Sequence, residues 1–539
     1  MAIIASIQRH RTQWCIAAAT LTVAAGDVLF YRYAAHGGQI GFGLAALLLL
    51  AVAVRPVIWR DPRALLAAGV ALVFAGQMVR APGLLAWTLF WVAAGMAVLL
   101  PATGRFDDGW RWFQRLIAHA ARSVVAPILD AVRWRKARVR RPDRRLKLSS
   151  GIAALALPVT GSIVIALLFI SANPVLERLV DELTTPGDWE LDIPRLLLWT
   201  ALLFAAWSLL HPKHIHPLFG TFDGSGDLAL PGVSVTSVRT SLIAFNLLFA
   251  GQNAMDLAYL SGLAPMPAGI TLAEYAHRGA YPLIVTALLA ALFVLVTLRP
   301  GSETAARPVI RWLVVIWVVQ NLILVASSIV RTIDYIDAYS LTTLRIEALA
   351  WMLLVGCGLV LICWRMLTAR SARWLVNSNC AAAAVMLTGF AIVDTDAIAA
   401  SWNVRHAREV GGHGTSLDLC YLNILLDDSA LPALIELERR PELTPALRDR
   451  VRYVRNAVLD RLDNRIRHGG WSLLGEQRRL DARASLAHMP KSPPLKAGSR
   501  TCSGEIYDVP APPPPSTPLA LGPAPAPAAK SALTAEQRP

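Results

Sequence analysis

Charged side chains are scarce in this chain. They make up 17% of its 539 residues, against about 25% in soluble domains. Hydrophobic residues reach 55% and mean hydropathy is +0.47, so an ordinary soluble domain is excluded and a bilayer is the expected solvent. Acidic residues are the scarcer sign, with 37 Asp and Glu against 52 Lys and Arg and a net charge of +15. Most of that excess lies in loops between apolar runs, where it orients spans and meets anionic headgroups; no nucleic acid is expected as a partner. Cysteine is sparse too. Four of the six, Cys15, Cys357, Cys363 and Cys380, fall in apolar runs, where the thiol is ordinary packing. No Cys-x-x-Cys pair occurs, which removes the usual zinc and redox motifs. Cys420 and Cys502 alone lie in the polar C-terminal part, and the spacing leaves their pairing open. Phosphate-binding loops, Gly-x-Ser-x-Gly elbows, His-Glu-x-x-His helices and dinucleotide fingerprints are absent as well. No cofactor is expected.

What the chain does have is long apolar runs. A helix needs about 20 mostly apolar residues to cross a bilayer, and about eleven runs qualify: 13–33, 38–55, 64–80, 83–101, 151–171, 195–211, 238–260, 280–298, 309–330, 344–367 and 373–393. The fold class expected is therefore all-α, a polytopic transmembrane helix bundle. The N-terminal run lacks an Ala-x-Ala site and is followed by Asp27, Tyr31 and Arg32, so it reads as an uncleaved first span. Alternation places Arg55, Arg60, Arg63, the loop Arg105–Lys147, Arg299, Arg307, Arg311, Arg370 and Arg373 on one face. That loop carries 13 basic and 4 acidic residues, whereas the loop Asn173–Arg195, on the other face, carries six acidic and two basic ones. Basic loops mark the cytoplasm. The expected protein sits in a bacterial inner membrane with its N-terminus inside and its C-terminus outside.

The organisation follows. Residues 1–104 hold N-terminal spans, 105–150 a basic cytoplasmic segment, 151–393 the main bundle, 394–490 an extracytoplasmic helical region and 491–539 a Pro/Ala-rich tail expected to be disordered. In the basic segment Trp110, Trp112, Phe113, Leu116, Ile117, Val124, Ile128, Leu129 and Trp134 recur at near-helical spacing among arginines. This predicts an amphipathic helix on anionic lipid headgroups at 105–147; the plainer alternative is a linker helix packed on the protein's own face. After Asp394, the residues Leu447, Val451, Val454, Val458, Leu462 and Ile466 form one apolar stripe of a helix, and shorter helices are expected at 416–426 and 432–437. A unit this small is expected to bury little by itself.

Ionisable residues inside or beside spans are costly and need individual reading. Here they gather at one end. Asp256 closes the seventh run, Glu274, Tyr275, His277 and Arg278 lead into the eighth, and Arg331, Asp334, Tyr335 and Tyr339 leave the ninth. Arg345 and Glu347 then open the tenth. All would lie at the outer face as a polar collar with Arg278, Arg331 and Arg345 facing the carboxylates. Such arginines would hold a carboxylate or phosphate, or would simply lock helix ends together as interfacial ion pairs within an aromatic belt. Glu274-x-x-His277 has the spacing of a carboxylate-bridged di-iron site but lacks the second copy such a site needs, and His211, His214 and His216 fit a proline-shaped turn better than a metal site. No metal is expected.

The stretches 245–256 (FNLLFAGQNAMD), 273–282 (AEYAHRGAYP) and 335–345 (YIDAYSLTTLR) resemble a family of bacterial polytopic membrane proteins catalogued only as a domain of unknown function. The likeness continues through Asp394–Asn403, Leu417–Leu422 and Asp428–Leu434, covering roughly residues 200–440. Similar proteins usually have Gly where this chain has Ser340. The resemblance supplies no activity. The expected function is a non-catalytic, transporter-like or envelope-associated component whose collar and helical tail bind a small solute or an envelope partner. One alternative is a membrane-embedded enzyme on a lipid-linked substrate with Glu274 or His277 as acid or base; another is a signalling or assembly scaffold.

Overall fold

The computed structural model describes residues 11–31, 37–103, 106–139, 192–213, 234–263, 307–490 and 494–507, with a few isolated positions between them. Two of the expected spans, 151–171 and 280–298, fall essentially outside the described residues. The others are helices: α1 (Arg11–Phe30), α2 (Gln39–Val54), α3 (Pro62–Arg80), α4 (Leu84–Thr103), α6 (Ile193–Leu210), α7 (Val235–Leu260), α8 (Pro308–Tyr339), α9 (Thr343–Leu367) and α10 (Ala372–Ile392), with α5 (Gly109–Val139) in the basic segment. Among the described residues seven are long and apolar enough to cross a membrane, and α2 is a shorter apolar helix. The chain is a multi-pass, all-α membrane protein.

Local chemistry fixes the starts of these helices. Asp61 and Asp192 accept hydrogen bonds from the backbone N–H of Arg63 and Arg195, each at 3.0 Å, and Pro62 and Pro194 sit in the first turns. Side-chain acceptors satisfy donors that a helix N-terminus leaves orphaned, and proline has no N–H to waste there.

Two cores form in the spanning part. One joins α1 to α4 with α6 around Leu48, Phe90, Leu209 and Leu210. The other joins α7 to α10 around Leu242, Val314, Trp317 and Leu359. Helix α6, which falls within the stretch 151–393 expected to form the main bundle, packs its apolar end Ala206–Leu210 into the N-terminal core. Asp27 of α1 fastens it through Arg195 at 2.6 Å and Trp199 at 2.8 Å.

Helix α5 uses two faces. Trp112, Arg115, His119, Ala126 and Asp130 are buried against the protein, while Trp110, Phe113, Ile117 and Val124 are exposed. Gly109 N–H donates to Asn377 at 2.8 Å, Arg115 pairs with Asp107 at 2.6 Å, and Asp130 pairs with His211 at 2.8 Å and with Lys213. His211 thus serves as a clamp at the end of α6; His214 and His216 lie outside the described residues.

The polar region after Asp394 is a domain with its own core. It contains α11 (Thr395–His406), α12 (Leu431–Glu438), α13 (Pro445–Arg467) and α14 (Leu473–Ala487). Val451, Val454, Val458 and Leu462 of the predicted stripe are fully buried, against Leu422, Leu431, Leu434 and Leu437. The expectation that this unit buries little is overturned, because α12 and the segment before it wrap the stripe. The expectation of a disordered tail from residue 491 also starts too early. Strands β1 (Ser499–Arg500) and β2 (Ile506–Tyr507) pair antiparallel, and a Cys420–Cys502 disulfide with Cα atoms 4.9 Å apart ties the hairpin to the domain. Residues 508–539 lie outside the described residues.

Candidate functional site at the helix ends

The collar resolves into two layers. The lower one is a polar seam between α7 and α8. Arg331 pairs with Asp256 at 2.7 Å, Ser327 Oγ donates to the same carboxylate at 3.1 Å, and Gln252 reaches its other oxygen at 3.1 Å. Both charges are buried. Further along, Asn253 donates to the Gln320 carbonyl oxygen at 3.0 Å, and Gln320 donates to Asn246 at 2.9 Å. In a bilayer such bonds join helices that have little hydrophobic incentive to associate. Arg331 lies eight residues before the end of α8, roughly 12 Å below it at 1.5 Å per residue.

The upper layer is the turn between α8 and α9. Ser340 adopts φ 72° and ψ 166°, a region that costs a non-glycine residue on the order of 1–3 kcal/mol. Glycine would adopt it freely, in keeping with the glycine that the resemblance implies there. Ser340 Oγ gains a 2.9 Å bond to Thr415 Oγ1 in return. Arg345 donates to the carbonyl oxygen of Tyr339 at 2.8 Å and to that of Ser340, and lies 4.0 Å from the Tyr335 ring centre, itself packed 5.0 Å from Tyr339. Its charge therefore caps carbonyls left open at the end of α8. Asp334 is exposed and Glu347 half-buried, and among the described residues neither joins Arg345. Glu274, Tyr275, His277 and Arg278 lie outside the described residues.

The C-terminal domain grips this turn. Asn403 accepts from Leu341 N–H at 2.7 Å and donates to the Leu341 carbonyl oxygen at 2.8 Å, both ends buried. Thr343 Oγ1 donates to Asp396 at 2.5 Å, and Thr343 N–H donates to the Tyr421 hydroxyl at 3.1 Å. Behind the contact Arg478 joins Asp394 to Asp428, and Arg465 pairs with Asp428 at 2.6 Å. Burial alone pushes the Asp428 carboxyl up, but Arg465 and Arg478 outweigh it and hold it below its ordinary value. Glu438 shows the opposite balance: burial outweighs Arg455 and Arg452 and raises it. A second grip reaches the N-terminal core, where Gly38 N–H donates to the Trp471 carbonyl oxygen and Gln39 to that of Gly469 at 2.6 Å. A Cβ on Gly37 would meet the Trp471 oxygen at 2.0 Å, so only glycine permits the approach.

Sequence reasoning singled out Arg331, Tyr335, Tyr339, Arg345 and Asp256 as collar residues, and the structure joins the first and last, and the middle three. It passed over Asn403, Thr343, Asp396, Thr415 and Tyr421. Four of these five stand inside the stretches that carry the family resemblance, which was the available signal. The cavity at the junction, beside Asn403, His406 and Thr415, has a volume of about 10 Å³, room for no more than a single water. Over the described residues the junction is closed and filled with protein.

A family model described as Domain of unknown function (DUF4153) matches residues 64–437. No curated protein and no solved structure matches the chain.

Proposed function

We propose a function from the premise that this chain belongs to the DUF4153 family: it is a non-catalytic, envelope-associated component of the bacterial inner membrane that presents its C-terminal domain outside the cytoplasm. The observation that carries this reading is where the resembling stretches go. Residues 335–345, 394–403 and 417–422 meet at one closed junction that fastens the domain to the helix ends. Asp256 of the stretch 245–256 supports the same place from below.

Two independent features favour the orientation. The basic clusters Arg55, Arg60, Arg63, Arg307, Arg311, Arg370 and Arg373 stand at the helix ends opposite the domain, as cytoplasmic loops do. A disulfide in the domain suits an oxidising compartment. With this orientation α5 lies at the cytoplasmic leaflet, its exposed Trp110, Phe113 and Ile117 toward lipid. The domain and the collar beneath it then form the surface that an envelope partner or small solute would meet. Alkaline phosphatase fused after Arg440 is expected to be active and a fusion at Arg140 inactive. The reverse pair would overturn the orientation, and with it the proposed role.

A further inference from the structure

Between α4, α5 and α6 lies an open-sided crevice of about 480 Å³, within the roughly 300–1,000 Å³ of small-molecule sites. Its walls are Trp87 and Trp91 of α4, Phe113 and Ile117 of α5, and Phe204 and Leu209 of α6. The hydroxyls of Thr88, Ser123 and Ser208, each donating to a carbonyl of its own helix, and the His119 imidazole interrupt this surface. His119 is only 8% exposed, lines the crevice, and has no hydrogen-bond partner among the described residues. Burial, helped by Arg55 and Arg122, pushes its pKa down to about 4, so at neutral pH the imidazole is uncharged and offers one N–H and one lone pair. Leaving such a donor unmet in an apolar site is costly, and an acceptor oxygen on an apolar molecule would meet it.

We propose that this crevice holds one anionic glycerophospholipid, with an acyl chain along Trp87, Trp91 and Phe204, an ester carbonyl at His119, and its phosphate toward Arg122. The choice of occupant follows from three features. The crevice opens among spanning helices, where acyl chains are the surrounding solvent. His119 offers a donor to an uncharged oxygen, and the lining includes no carboxylate. Arg122 stands three residues beyond His119, one helical turn, and is close enough to lower that imidazole's proton affinity. The inference rests on α5 lying at the membrane surface.

The test uses the full-length protein, stripped of lipid in detergent and titrated with dioleoylphosphatidylglycerol under native mass spectrometry. Dioleoylphosphatidylcholine and decylubiquinone are run in parallel. One phosphatidylglycerol should bind saturably, and phosphatidylcholine on the order of tenfold more weakly. Ala120→Phe, at an exposed position lining the crevice, should abolish the adduct. His119→Leu should weaken it about fivefold, the effect of one net hydrogen bond. An absent or non-saturable adduct, one unchanged by Ala120→Phe, or one displaced by decylubiquinone would overturn the proposal. Micelles have no sides, so the result is independent of the fusion experiment: a missing adduct leaves the orientation intact, and a reversed orientation leaves the adduct to be explained.

Discussion

Asp256→Ala should destabilise the protein by about 3–5 kcal/mol, the usual consequence of removing one partner of a buried ion pair. The Arg331 guanidinium is 8% exposed and its carboxylate partner 2%, so the charge left behind cannot rehydrate without separating α7 from α8. Ser327 also loses its acceptor, and Gln252 its partner. Heating the detergent-solubilised variant and following the monodisperse peak by gel filtration should show an apparent Tm lower by on the order of 5–10 °C. The double change Asp256→Leu with Arg331→Met should recover most of the loss, because a buried ion pair replaced by apolar groups of similar volume is often neutral or better. A single variant as stable as the parent would mean that the seam contributes nothing to joining α7 and α8.

Asn403→Ala should release the C-terminal domain from the α8–α9 turn. Its carboxamide makes both halves of a two-bond exchange with the Leu341 backbone, and alanine would strand a buried N–H and a buried carbonyl. Each unsatisfied group costs about 1–3 kcal/mol, so the junction should weaken by roughly 2–4 kcal/mol. The measurement is limited proteolysis by trypsin, which would cut at Arg405 and Arg408 beside the junction. The variant should be cleaved there many times faster than the parent while the spanning helices stay intact. Asn403→Asp keeps an acceptor for Leu341 N–H but sets a second, charged oxygen against the buried Leu341 carbonyl, so it should be cleaved at least as fast as Asn403→Ala. Equal rates for all three would show that other contacts hold the domain.

Much of this architecture was legible in the sequence because it depends on local periodicity. Nine apolar runs became helices near their expected positions, the stripe Leu447–Ile466 turned inward, and the alternation of Trp110, Phe113 and Ile117 with Trp112, Arg115 and His119 gave α5 its two faces. Features that depend on distant pairing were hidden. Nothing in Ile193–Leu210 says that its end packs with Leu48 and Phe90. Nothing in the run 38–55 shows that Trp471 comes to lie against Gly37 and Gly38. Residues 494–507 sit beside a proline-rich tail and are held by distant partners: Cys502 reaches Cys420 across 82 positions and Arg500 pairs with Asp449 at 2.6 Å, the first a closure worth about 4.5 kcal/mol on the chain-entropy account. The collar was half legible for a similar reason. Charge and position picked out Asp256, Arg331 and Arg345, but a neutral asparagine gives no such signal, and Asn403 makes the most specific contact at the junction.

The central claim is that the C-terminal domain is docked on the α8–α9 turn at the extracytoplasmic face. Ser340 Oγ and Thr415 Oγ1, 2.9 Å apart, allow a direct measurement in cells producing the double variant Ser340→Cys, Thr415→Cys. The two thiols should join spontaneously, giving a reducible mobility shift on gels. After reduction in intact spheroplasts, the double variant should take up two more membrane-impermeant maleimides than the parent treated alike, whose Cys420–Cys502 pair is opened too. Thiols that stay unjoined, or that the impermeant reagent reaches only after lysis, would contradict the docking or its placement outside the cytoplasm, respectively.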